Sequence, residues 1–241
     1  MTTSRRTLPI ALLAMLPLLA LPAPHRAQSI ESVESIPLKP RKWRLDPSTF
    51  MAGVVPLYKS SVDLPPTSTG PGESLRGLAF TFPSSNSPDP YASRDRVGYL
   101  IHPRSWPISG SYISITVALV AEGPVLFNTQ FDQSACTDQA RLRLHFQSGP
   151  LYGSNPSTRW WTNPLNIPLS SLLNGQPATL TVPLTPDQWT NAVGQRSSSG
   201  FYDAMANCAW IGLTFGGCFF GHGVNATGAS VQFALLDYSI Y

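Results

Sequence analysis

Acidic side chains are scarce in this chain. Beyond residue 42 the only glutamates are Glu73 and Glu122, and no two acids stand at i, i+2 on one predicted strand face. A glycosidase needs two carboxylates facing each other across the bond it cuts, and no ExDxxE pattern supplies them. Charged residues of both signs make up 12% of the 241 residues, about half the usual share. No GxSxG elbow, HExxH helix, P-loop or dinucleotide fingerprint occurs. No CxxC occurs either, which removes the thioredoxin-type motif and the zinc ribbon. Long uninterrupted helical patterns are also missing. The 24 prolines and 18 glycines exclude a coiled coil, because proline breaks helix interiors.

Enough apolar material remains for a core. Hydrophobic residues make up 42% and aromatic residues 10%, too much for wholesale disorder. The formal charge is +3, with 16 Lys+Arg against 13 Asp+Glu. Three of those basic residues, Arg5, Arg6 and Arg26, lie in the first 27, which hold no acid. Residues 28–241 are therefore neutral and carry no electrostatic footprint for nucleic acid.

Residues 1–27 read as a signal peptide. Arg5 and Arg6 form a basic start, and Leu8 to Ala23 is an apolar stretch broken by Pro9, Pro17 and Pro22. That stretch is too short and too broken for a good membrane span. Cleavage is expected after Ala27, giving a secreted or periplasmic protein with no stable membrane insertion. Ser4-Arg5-Arg6-Thr7-Leu8 also resembles a twin-arginine export motif. No cysteine precedes Cys136, so a lipoprotein anchor is excluded. Residues 28–42 read as a linker or disordered arm, and 43–241 as one β-sandwich domain.

Strand signals dominate that domain. Leu78-Phe80-Phe82, Val97-Tyr99-Ile101, Ile113-Ile115-Val117-Leu119, Leu142-Leu144-Phe146 and Leu180-Val182-Leu184 each repeat with period two. Such alternation marks strands buried on one face. Ala209 to Phe215 and Val231 to Ile240 complete the set. The expected fold is all-β, an antiparallel two-sheet jelly-roll sandwich with one or two short helices. Thr185-Pro186-Asp187 signals a helix start ended by Gly194, and Phe201, Ala204 and Met205 share a helical spacing.

Of the three cysteines, Cys208 and Cys218 flank a predicted strand that holds them too far apart for a bridge. Cys136 with either of them is one reading, and three buried thiols the other. His102, His145 and His222 lack the paired spacing of a zinc site. Asp132 and Asp138 read as turn residues. The glycine-rich run Gly216 to Gly223 reads as a loop with positive-φ positions. Asn225-Ala226-Thr227 is a formal glycosylation sequon.

The positive signal is aromatic and cationic. Arg141, Arg143 and His145 share one strand face, and Arg159-Trp160-Trp161-Thr162-Asn163 follows soon after. Adjacent tryptophans on a strand point to opposite faces, so one can enter the core while the other offers a flat ring for stacking. Arg141, Arg143, His145, Arg159, Trp160, Trp161 and Asn163 are the candidate ligand-binding residues. Packing of both rings beneath a loop is the competing reading. Trp43, Trp106, Trp189 and Trp210 read as core or end-cap residues.

Asn207-Cys208-Ala209-Trp210-Ile211-Gly212-Leu213-Thr214-Phe215 resembles the penultimate strand of jelly-roll, galactose-binding-like carbohydrate-binding modules. Val231 to Ile240, with Asp237 inside it, is similar to their closing strand. The likeness covers Thr185 to Tyr241, with Trp189 and Phe201 in the lead-in. It implies a non-catalytic carbohydrate-binding protein whose partner is a carbohydrate or another cell-envelope component. It needs no cofactor beyond a structural calcium near Asp237, and only Asp237 remains of the usual acidic pair. The alternatives are a structural or protein-interaction component of the envelope, and a glycan-active hydrolase or lyase.

Overall fold

The computed structural model describes residues 33–38, 43–47, 55–56, 59–63, 74–84, 96–129, 139–150, 155–217 and 223–241. Residues 1–27, read as a signal peptide, and Cys136, Cys218, His222, Asp132 and Asp138 lie outside them. The chain divides at Ile30/Glu31, and every described residue belongs to the later unit.

The strands in chain order begin with β1 (Glu34–Ser35), β2 (Arg44–Pro47), β3 (Val55–Pro56), β4 (Lys59–Asp63) and β5 (Ser74–Thr81). Next come β6 (Val97–Pro103), β7 (Tyr112–Ala121), β8 (Val125–Thr129), β9 (Arg141–Ser148), β10 (Arg159–Thr162) and β11 (Ile167–Pro168). After β12 (Ala178–Pro183) and β13 (Trp189–Asn191) the helix α1 (Ser198–Ala206) intervenes, followed by β14 (Cys208–Gly216), β15 (Val224–Gly228) and β16 (Val231–Ile240).

They form two sheets. The smaller runs β12-β7-β16-β5-β4, with β1 added on β16. The larger runs β13-β10-β9-β14-β6-β15-β8, with β11 on β9, β2 on β6 and β3 on β2. Neighbouring strands pair antiparallel, as in β7 with β16 and β9 with β14. The expected all-β antiparallel sandwich is therefore the fold.

The core lies between the sheets, where alternate residues of both meet. Phe80 and Phe233 from the smaller sheet pack edge-on against Phe215 of β14, with centroids 5.7 and 5.1 Å away. Edge-to-face pairing suits the ring quadrupole. At the other end Phe146, Trp160, Trp189 and Phe201 cluster beneath α1, whose buried residues are the three expected, Phe201, Ala204 and Met205. Loss of the α1 face would open this cluster to water.

Three expectations change. Thr185-Pro186-Asp187 opens a single 3-10 turn, Pro186–Gln188, and not a helix to Gly194. The chain must leave the turn extended because Trp189 is fully buried and pairs through β13 with Thr162. In β6 the apolar face is reversed around Leu100. Leu100 joins the intersheet core and the His102 ring meets Trp43 at 5.3 Å, while Tyr99 and Ile101 turn to the outer face.

The third change concerns 28–42, expected to be a linker or disordered arm. Its described part carries β1, which pairs Glu34 with Ile240, and Ile36 is buried in the core. Arg104 holds β1 from the side, with Nη1 and Nη2 donating to Glu34 Oε1 and Oε2 at 2.8 and 2.9 Å. Those hydrogen bonds hold the Glu34 carboxyl below its ordinary range. A bidentate pair of this kind is stronger than a neutral hydrogen bond.

One glycine is required by its surroundings. Gly212 in β14 sits at φ 154°, and a Cβ there would fall 2.1 Å from the Leu100 carbonyl oxygen of β6. Gly212→Ala is expected to lower the unfolding free energy by about 3 kcal/mol, read by urea denaturation, because strand pairing and side-chain volume then conflict.

Candidate functional site

β9 sorts its side chains by parity. Leu142, Leu144 and Phe146 enter the intersheet core, so Arg141, Arg143, His145 and Gln147 occupy the outer face of the larger sheet. Pairing carries that face sideways. His145 stands opposite Trp161 of β10 and Gly212 of β14, and Trp161 stands opposite Thr190 of β13. Thr214 lies opposite both Arg143 and Tyr99. Trp210, at the same parity as Gly212 and Thr214, completes the outer side of β14.

The two adjacent tryptophans do point to opposite faces. Trp160 is in the core, 0% exposed, and donates from Nε1 to Ser157 O at 2.9 Å. Its ring meets Phe201 edge-on at 5.3 Å. It therefore offers no surface to a ligand, and its expected binding role is corrected to core packing. Trp161 is on the outer face but is also covered, at 1% exposure. Its ring lies 5.0 Å from the His145 ring at 33°, and Tyr99 meets the other side of His145 at 5.4 Å. Tyr99, His145 and Trp161 thus form a row across the sheet.

His145 is fully buried and its Nδ1 is 2.9 Å from the Trp160 carbonyl. A carbonyl only accepts, so Nδ1 carries the proton and Nε2 holds a lone pair. Burial pushes the imidazole down to about 3, against the pull of the Trp160 hydrogen bond, and the Arg159 charge adds to the depression. The ring is neutral at ordinary pH. Gln147, on the same face, also hydrogen-bonds the ring, whereas no described group stands in hydrogen-bonding geometry to Thr190 Oγ1 or Thr214 Oγ1, and both residues are at most 2% exposed. Buried polar atoms without partners cost about 1–3 kcal/mol each, so their grouping on one face calls for a reason.

Around this covered floor stands a more open rim. Arg141, Arg159 and Asn163 are half-buried, as are Tyr99 and Trp210. Arg141 Nη1 donates to Asn166 Oδ1 at 2.8 Å. Asn163 is fixed by backbone bonds, its N–H donating to Gln188 O at 2.8 Å and its carbonyl accepting from Arg196. Arg44, exposed on β2, lies over the Trp210 ring at 5.6 Å. Arg143 is 3% exposed and belongs to the floor.

Of the residues expected on the site, Arg141, Arg143, His145, Arg159 and Trp161 share this outer face, and Asn163 flanks it just beyond β10. Tyr99 and Trp210 were missed as site residues. The signal for Trp210 was present, since core positions at Ile211, Leu213 and Phe215 leave Trp210, Gly212 and Thr214 on the other side. Trp106, read as a core or end-cap residue, lies outside the core. It is 51% exposed, donates to Glu34 Oε1 at 3.0 Å and lies under Arg104 at 5.0 Å.

No protein-family model matches the chain, and no curated protein matches it. Solved structures do. The fold is similar to that of a xylan-binding module. That structure, the xylan-binding module CBM15, is 16% identical with a TM-score of 0.38, covering 85% of this chain and 96% of the other. The L4b domain of human laminin alpha-2 is 8% identical with a TM-score of 0.44, covering 87% and 97%. Xylanase10C from Cellvibrio japonicus, in complex with xylopentaose, is 14% identical with a TM-score of 0.33, covering 84% of this chain and 28% of that one.

His102 faces the core and His145 the outer side of the same sheet, so the two cannot share an ion. Asp237, the expected calcium position, accepts from Ser239 Oγ at 2.9 Å. Among the described residues no three His, Cys, Asp or Glu side chains gather where an ion fits. Cys208 is a free, buried thiol pushed up to about 12 by burial, and donates to Trp210 O at 3.4 Å. It is therefore not bridged to Cys136, the one expected pairing that includes it. Asn225 is 4% exposed and accepts from Asn128 Nδ2 at 3.1 Å, so the sequon is closed to a glycan. No helix among the described residues is long and apolar enough to cross a membrane.

Proposed function

We propose that this protein is exported and binds carbohydrate, without catalysis, on the outer face of the larger sheet. The observation that carries the reading is the half-buried rim of that face, where the Tyr99 and Trp210 rings stand with Arg141, Arg159 and Asn163 around the covered row of His145 and Trp161. A sugar offers both halves of the complement, C–H faces for rings and hydroxyls for polar atoms. Tyr99 and Trp210 on the rim supply accessible rings, and Arg141, Arg159 and Asn163 supply donors and an acceptor. The basic start and proline-broken apolar stretch of residues 1–27 support export to the periplasm or medium.

Affinity electrophoresis against a panel of soluble polysaccharides tests the reading. The full chain is expected to be retarded by at least one of them, and Trp210→Ala to weaken that retention about tenfold, the value of a stacked ring of some 1–1.5 kcal/mol. Binding to no polysaccharide, or binding untouched by both Trp210→Ala and Tyr99→Ala, would remove this face as a carbohydrate site.

A further inference from the structure

The charge of the two sheets is uneven, although residues 28–241 are neutral as a whole. The strands of the larger sheet carry Arg44, Arg141, Arg143 and Arg159. Their one acid is Asp46 on β2, a strand that pairs with β6 and is separated by β6 and β14 from β9. β9, β10, β13 and β14, which hold His145, Trp161, Thr190 and Thr214, contain no acid at all.

Arg141 and Arg159 stand at opposite ends of these acid-free strands. Arg159 pairs with Gln147 at one end of β9, and Arg141 is the first residue at the other. Neither forms an ion pair with a described residue, and the Nε of each is buried without a hydrogen-bond partner there. The one described contact to the Arg141 head is the neutral amide of Asn166. A half-buried guanidinium is planar, always charged and shaped for bidentate carboxylate. Between the two lies the covered floor of Arg143, His145, Thr190 and Thr214, which adds a third basic residue and no acid.

Resting on the carbohydrate reading above, we propose that this face selects glycans that bear carboxylates, uronic-acid polymers, with Arg159 and Arg141 pairing the carboxylates. Rings recognise the sugar, and the arginines choose the acidic kind.

The test compares one polymer in two forms, polygalacturonate and the same material with its carboxyls reduced to alcohols, by isothermal titration on the full chain. The acidic form is expected to bind at least about tenfold more tightly, as one charge-assisted pair suffices to give. Arg159→Gln with Arg141→Gln is expected to bring the acidic form down to the affinity of the reduced one, with unchanged circular dichroism and melting. Equal binding of the two forms by the wild type overturns the inference and leaves the carbohydrate reading standing. Equal binding of dextran sulfate, or displacement by poly-glutamate at equal charge, shows recognition of charge alone and also overturns it. Binding to neither form nor to any neutral polysaccharide overturns both.

Discussion

Trp160→Ala is expected to lower the unfolding free energy by about 3–5 kcal/mol, the usual cost of deleting a large aromatic ring from a packed core. The ring is wholly buried and touches Phe201 edge-on, and its Nε1 is spent on Ser157 O. The truncation leaves a void beneath α1 and an unpaired carbonyl beside it. A domain of this size holds about 5–15 kcal/mol in all, so the variant is expected to melt far below the wild type. Urea denaturation measures the loss. Any fall in glycan binding is expected to follow the fraction folded, and to vanish when the comparison is made per folded molecule. Full stability in Trp160→Ala would contradict the packing described for β10.

Acid is expected to act through the neighbouring histidine. His145 titrates near 6.5 in an unfolded chain and is pushed down to about 3 in the fold, chiefly by burial. Between those two values the unfolded state holds the extra proton, so stability rises with pH across the window and is lost on acidification. The stabilisation is complete above about pH 6.5, falls as pH drops, and is gone near pH 3. Over the window it amounts to roughly 5 kcal/mol, at 1.36 kcal/mol per unit. Glu34, held low by Arg104, adds a slope of its own at the acid end. His145→Gln isolates the histidine part, because an amide can donate to Trp160 O and does not titrate. The variant is expected to show a flatter stability profile between pH 6.5 and 4 in denaturant titrations. An identical slope in both proteins would mean that the imidazole is not buried neutral.

Period two in the sequence was enough to give the sandwich and the core face of most strands. Ile113 to Leu119 and Leu142 to Phe146 face inward as expected because a strand has no other way to bury alternate apolar residues. β6 misled because both of its parities are apolar, and only its pairing partners decide that Leu100 and not Tyr99 looks inward. The 28–42 arm misled for a different reason. A two-residue strand has no periodicity, and its hold comes from Arg104, 70 residues away.

The outer face was legible in part. Parity placed Arg141, Arg143 and His145 together and split Trp160 from Trp161. Parity does not reveal depth. Trp161 is outward yet covered, whereas Trp210, read as a core or end-cap residue, reaches the rim. The acid-free character of β9, β10, β13 and β14 was also written in the sequence. It became meaningful only when strands distant in the chain proved to be neighbours.

The pairing of Glu34 with Ile240 brings the first and last strands of the fold side by side. The path of the backbone therefore nearly closes on itself, as a ring opened at one seam. A short bridge between these strands would leave every other pairing in place, and a new opening in an exposed turn would give a circularly permuted form of the same sandwich. Anything fused at either end of the fold departs from one shared corner, so a partner placed there meets the domain at a single known point.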